Sequence, residues 1–466
     1  MTRRTRAAWR VSAAVPLLAV AASLAASRAD AGAAEATNDA TAVVSLSLRE
    51  AVARALESNE SLRAAAAAVE AARAGADETR AGRLPSLGLS GRYARNFLLP
   101  SFFINMDGQF TKLEIGADND FQGQAAATWN LWTAGRQSAA EAAARAATAA
   151  AAGGEAAAAD LVRLGAREAY CGALLAASQV AIAEHSLRQS QETVRVTEAA
   201  FAEGTASRFD CLRAGVELSN RQPQLHAARN DLALALALLS RRCGLPPDVS
   251  LALTDSLAAV AAPAALDSLQ ALARVSSPRL KALAHAEAAR RATVSLERAA
   301  RGPVVQLSSA YAVEGQWSDG VTPPSENIAK SANVALGVQW PLFDGFRTRA
   351  RTARAAADLR SAEAARQQAE RDLDLAVREA WLTLANARAR LEGRREAVAL
   401  AQEAYRLAGV RLASGVATRL EALDAETALT VARAQLAAAL YDCNVAQARL
   451  EFAIGGGAAD SEGDSR

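Results

Sequence analysis

Aromatic side chains make up only 5% of this 466-residue chain, and its prolines number 12. That scarcity excludes a thick core built on large rings and leaves long stretches without a helix breaker. The four cysteines, Cys171, Cys211, Cys243 and Cys443, have no metal-ligand spacing and are too few to staple a chain of this length. His185, His226 and His285 have no partners at ligand spacing and read as helix-surface residues. Beyond the N-terminal segment no run is long and apolar enough for a transmembrane helix, so any passage through a membrane must use strands. No nucleophile–base set, phosphate loop or metal cluster is present, which argues against an enzyme and against a bound cofactor.

What is present is alanine and arginine in abundance. Alanine favours helix and lets helices approach closely, so long, thin helical packing is expected. Residues 1–31 read as a secretory signal: Arg3, Arg4, Arg6 and Arg10 precede an apolar stretch from Val11 to Ala26, and Ala29-Asp30-Ala31 is a small-x-small cleavage site. Their removal takes five Arg and one Asp, leaving 47 basic and 49 acidic residues. A nearly neutral chain gives no support to nucleic-acid binding.

The chain is written twice. A shift of 218 residues puts Leu62 on Leu280, Pro85 on Pro303, Leu89 on Leu307 and Tyr93 on Tyr311. A shift of 211 puts WNLWTAGR (Trp129 to Arg136) on WPLFDGFR (Trp340 to Arg347), and Phe201–Leu218 on Leu412–Leu429. Seven residues are thus lost between Tyr311 and Trp340, where loops are expected. The repeats are 32–264 and 265–466, each reading helix, strand, loop, strand, very long helix, tight turn, helix. The opening helices run near Ser47–Arg83 and Ala265–Arg301, stopped by Pro85 and Pro303. Period-two alternation predicts strands at 85–93, 121–132, 303–313 and 332–343, one face apolar and the other small or polar. A soluble sheet with one wet face shows the same alternation. Between the first two strands, Phe97, Leu98, Leu99, Phe102, Phe103 and Ile104 form an apolar loop that either plugs a channel mouth or lies against lipid headgroups.

Two proline-free stretches, 135–201 and 346–412, predict helices ~100 Å long at 1.5 Å per residue. Leu373, Val377, Ala380, Leu384, Ala387 and Leu391 follow coiled-coil spacing, while Gly153-Gly154 predicts a bend or frayed turn. Turns at Glu203-Gly204-Thr205 and Ser414-Gly415-Val416 then reverse the chain into helices 208–244 and 418–454, with Ser207 and Thr418 as N-caps. Cys171 and Cys243 lie 35 residues before and 37 after Ala206. They therefore share a height on antiparallel helices, and the oxidising compartment that a secretory signal implies leaves a bridge between them open.

Four strands cannot close a barrel, and an open edge in lipid costs several kcal/mol for each unpaired backbone group. Two copies would give a filled eight-stranded barrel, whereas three give twelve strands and room for a pore. The signal, the duplication, the strands opening at Pro85 and Pro303, the WNLWTAGR and WPLFDGFR segments and the two tip turns together resemble the TolC-type outer-membrane efflux proteins. The resemblance covers the whole mature chain apart from its tails. It implies a homotrimer with a twelve-stranded barrel in outer-membrane lipid, a twelve-helix periplasmic tunnel, and an equatorial belt from about residues 245–264 and the C-terminal segment. It further implies an exit duct joined to an inner-membrane pump, of RND or ABC type, through a periplasmic adaptor.

By the same resemblance, acids six and nine residues after the second turn glycine form the periplasmic gate: Glu421 and Asp424. The first repeat offers Asp210 but Arg213 at the ninth position. The basic residue expected two after Gly415 is replaced by Ala417, leaving Arg419 as a substitute latch. The adaptor is expected at Gly204, Thr205, Ala206, Ser207 and Arg208, and at Gly415, Val416, Ala417, Thr418 and Arg419. A periplasmic coiled-coil adaptor or tether is the rival reading; it accounts for signal and rods but not for two matching pairs of strands.

Overall fold

The structure, a computed structural model, describes residues 44–106, 109–246, 249–318, 320 and 325–456. The signal segment 1–31 and the tail beyond residue 456 lie outside them. In the first repeat, β1 (Val44–Leu46), α1 (Leu48–Ser58) and α2 (Glu60–Ala81) precede β2 (Ser86–Arg95), β3 (Ser101–Met106), β4 (Gln109–Glu114) and β5 (Asn119–Trp132). The rod α3 (Arg136–Ala202) and the returning helix α4 (Arg208–Arg242) follow, then β6 (Leu251–Leu253). The second repeat runs α5 (Leu266–Ser276), α6 (Pro278–Ala299), β7 (Val304–Trp317), β8 (Ile328–Gln339), α7 (Arg347–Ala413) and α8 (Arg419–Ala453).

The duplication is visible in the element lengths. Both rods have 67 residues, ~100 Å each, and both returning helices have 35. Each rod begins after two successive residues in the left-handed region, Ala134 and Gly135 in one repeat, Gly345 and Phe346 in the other. The same sharp joint between strand and helix is made with its glycine at opposite positions.

Four expectations are corrected. Each opening helix is two helices, because a capping residue interrupts it: the Asn59 side chain accepts from Ser61 N, and the Ser277 side chain accepts from Leu280 N with Pro278 in the first turn. Gly153-Gly154 neither breaks nor frays α3. A Cβ on Gly153 would lie 2.8 Å from Ala282 Cβ, so this glycine lets α6 press against the rod. The apolar loop is a hairpin, β3 with β4, in register Ser101 to Glu114 through Met106 to Gln109. The strand predicted to run to residue 343 also ends earlier, at Gln339.

Packing is thin, as the alanine content requires. One core joins α5, α7 and α8 around Val377, Leu384, Ala387 and Leu391, all nearly inaccessible, with Leu373 and Ala380 packed alongside. A second joins α1, α3, α4 and the parallel pair β1–β6 around Leu46, Tyr170, Leu239 and Cys243. Here the linker is fastened by Asp255, whose carboxylate accepts from Leu48 N at 2.7 Å and lies 2.8 Å from the Tyr170 hydroxyl. Burial, with Asp255 adding to it, pushes the Tyr170 hydroxyl up to about 12.

Candidate functional site

The four main strands form one antiparallel sheet in the order β2-β5-β7-β8, so β2 and β8 are free edges within the chain. Residues paired across antiparallel strands share a face, and the register therefore sorts the side chains. One face carries the rungs Leu87–Ala127–Ser309–Val334 and Leu89–Ala125–Tyr311–Ala332, with Trp129–Leu307–Leu336 beside them. The other carries Ser86–Thr128–Ser308–Ala335 and Ser90–Gln124–Ala312–Ser331. The apolar face is bare: Leu87 is 82% exposed, Leu89 86% and Val334 73%. Where the sheet meets the helices, the Trp129 indole donates to Arg83 O at 2.7 Å and the Trp340 indole to Arg301 O at 3.0 Å. Two repeats thus set an aromatic ring at the same boundary, as aromatic belts do at membrane interfaces.

At the far end of the rods the two tips are near copies. Gly204 and Gly415 both adopt positive φ, 79° and 74°, which ends each rod without strain. Thr205 N and Ala206 N bond back to Ala200 O, as Val416 N and Ala417 N do to Arg411 O. Gly204, Thr205, Ser207, Arg208, Gly415, Val416 and Thr418 are exposed, whereas Ala206, Ala417 and Arg419 are half-buried.

The acids expected at the gate differ in what they are already doing. Asp210 closes a capping box with Ser207, and those bonds from the Ser207 hydroxyl and backbone hold its carboxyl below the ordinary range. Glu421 sits at the equivalent place behind Thr418, whose side chain accepts from Glu421 N at 3.3 Å, and its carboxylate lies 3.7 Å from Arg411. Asp424 is exposed and has no hydrogen bond or ion pair among the described residues. Arg419 donates to the hydroxyl of buried Thr197 at 2.7 Å, tying α8 to α3. A second such tie, from Arg221 on α4 to Thr427 on α8 at 3.4 Å, was not anticipated.

Between the two hairpins near the tips lies a cleft of ≈780 Å³, walled by Val196, Phe209, Leu412 and Leu423, with Glu426 on one side. Glu426 is only 6% exposed. The sequence did hold a signal for it: it stands three residues before Leu429, on the buried stripe of α8 that continues through Ala432, Ala439 and Cys443. All four cysteines are free, so the bridge left open between Cys171 and Cys243 is not made; Cys243 instead points its thiol at Ala51 O, 3.5 Å away. No helix is long and apolar enough to cross a membrane, and no group of metal-ligating side chains forms, among the described residues.

A sheet with one bare apolar face, set at the end of two paired helical rods, is the architecture of a membrane channel protein. The chain belongs to the outer membrane efflux protein family, whose model matches it twice, at residues 51–245 and 269–456, once per repeat. It is an outer-membrane protein extending into the periplasm. It is 29% identical over 291 residues to the alkaline protease secretion protein AprF of Pseudomonas aeruginosa, covering 62% of this chain. The chain spans 60% of the length of AprF. It is 27% identical to the cation efflux system protein CusC of Escherichia coli over 87% of this chain and 85% of CusC. Among solved structures, the MtrE outer membrane channel of Neisseria gonorrhoeae in its open state superposes with a TM-score of 0.72 at 21% identity, over 88% of this chain and 89% of that one. The rival reading, a periplasmic adaptor or tether, falls with the family match and the strands.

Proposed function

We propose that the chain is one protomer of a homotrimeric duct, the exit channel of a tripartite efflux or type I secretion system. The observation that carries this reading is the open four-stranded sheet with its exposed apolar face. Strands of 10 to 14 residues are long enough to cross a bilayer, for which a tilted strand needs about 9–11. An even number of antiparallel strands leaves β2 and β8 oppositely directed, so β8 of one copy can continue onto β2 of the next. Three copies then close twelve strands with no edge in lipid, which satisfies every backbone group. The rods, with α4 and α8 alongside, would continue the barrel as a twelve-helix tunnel.

At the tips, Glu421 and Asp424 would form two acidic rings, with Asp210 near them in the first repeat. Because Asp210 caps its own helix and Glu421 is held by the Thr418 hydroxyl and Arg411, Asp424 is the acid freest to hold a cation. Arg419 serves as the latch, through Thr197, in place of the missing basic residue at 417. The exposed turns around Gly204 and Gly415 would receive a periplasmic adaptor, itself joined to an RND or ABC pump; AprF and CusC, by name, serve secretion and cation efflux. In planar bilayers, Glu421→Ala with Asp424→Ala should weaken block by multivalent cations about tenfold or more. Undiminished block would remove both residues from the gate.

A further inference from the structure

Within the chain the two hairpins join through α3 and α8, so the helices lie in the order α4, α3, α8, α7 with α4 and α7 outermost. Along the inner seam Arg419 donates to Thr197 at 2.7 Å, Arg449 to Glu168 at 2.9 Å, and Arg167 to Glu451. These ties fix the antiparallel register of α3 on α8. Three residues on from Glu168 and four back from Arg449 lie Cys171 and Val445, each 6% exposed.

The duplication carries that register outward. A shift of 211 residues lays α3 on α7 and α4 on α8, end for end. Leu382 therefore stands where Cys171 does and Leu234 where Val445 does, yet these leucines are 49% and 70% exposed. Eighteen residues along each helix, a whole number of turns, Leu400 and Val216 repeat the pair at 73% and 60% exposed. Both lie opposite the packed face of their helix, nine residues from buried Leu391 and Leu225 respectively. Between the two rungs the same register sets Gly393 level with Pro223. A Cβ on Gly393 would meet nothing within 4 Å in its own chain, so nothing there requires a residue that helix interiors disfavour. Pro223 is an equally unfavourable choice inside α4, and it too is exposed. The repeat counterparts of this pair are Ile182 and Ala434, so the seam alternates which helix supplies the bulk.

We propose that α7 of one copy packs on α4 of the next in this register, Leu382 against Leu234, Gly393 against Pro223 and Leu400 against Val216. The neighbour itself comes from the duct reading, on which this register rests. The sheet brings the same two helices together. α7 leaves from the edge strand β8, and a copy that adds its β2 beside β8 sets its own first hairpin, with α4 outermost, next to α7. The two seams differ in chemistry. Arg449 and Glu451 have Leu238 and Ser240 as counterparts, so the seam between copies lacks both ion pairs of the inner one and is held by apolar burial.

Oligomer sizing of the full-length protein in mild detergent tests the register. Leu382→Asp and Leu234→Lys should each lower the trimer fraction about fivefold, because each buries one unpaired charge between copies. Combined, they should restore most of it, since the two charges then face each other. Leu382→Asp with Val216→Lys, placed five turns out of register, should show no such rescue. Equal rescue by both pairs, or none by the first, overturns the register. So does a trimer that tolerates either single charge, although the duct reading survives that result. In a variant whose native cysteines are replaced, Leu382→Cys with Leu234→Cys should oxidise to an interchain product, and Leu382→Cys with Val216→Cys should not; the reverse overturns the register again. A wild-type chain that stays monomeric in its own membrane removes the neighbour, and the duct reading falls with it.

Discussion

At the residue scale, the tips show one side chain serving two masters. The family resemblance places Glu421 and Asp210 at the gate, yet both are the third residue of their helices, and Asp210 already accepts from Ser207 N at 3.0 Å. Ser207 and Thr418 were legible as caps because a small hydroxyl residue after a glycine turn has few other uses. Removing either hydroxyl, as Ser207→Ala or Thr418→Ala, should cost about 1 kcal/mol in chemical denaturation. A loss under a few tenths would show the tip to be held by its neighbours instead. The Asp210 box is present above the ordinary aspartate range and is lost as pH falls through that residue's depressed value. The sequence signal for Glu426 was its place three residues before Leu429 on the apolar stripe of α8, and its charge alone made that position read as solvated.

At the scale of elements, periodicity located the rods within a residue or two because 67 residues without proline leave little choice. It failed where a local cap competes with helix propagation, at Asn59 and Ser277, since a single side chain accepting one N–H is enough to restart a helix. It failed again at Gly153, where backbone entropy argued for a bend and tertiary contact decided otherwise. The two adjacent glycines provide a matched comparison. Gly154→Ala meets nothing within 4 Å and should stabilise by about 0.5–1 kcal/mol, the ordinary helix preference for alanine. Gly153→Ala should destabilise by about 1–2 kcal/mol despite the same preference, because its methyl would press on Ala282. Equal gains for both variants in thermal unfolding would contradict the close approach of α6 to α3. The hairpin β3–β4 was hidden for a different reason: its aromatic run carries no alternation that separates one face from the other.

For the whole molecule, duplication was the feature that made the architecture readable, since a match repeated in fixed order gives the element sequence twice over. What one copy of the sequence could not display is the register, and register is what turns alternation into a continuous apolar face across β2, β5, β7 and β8. Closure of the proposed duct requires that this face lie in lipid and that its edges be completed by sister copies. Cysteine scanning tests it, in a variant whose native cysteines are replaced, with one new cysteine on each edge strand, such as Ser90→Cys with Ala335→Cys and neighbouring pairs. Oxidation in outer membranes should produce, for at least one pair, a covalent ladder that stops at three chains. A ladder that stops at two or runs past three, or the absence of any interchain product from every pair, would contradict closure by three copies.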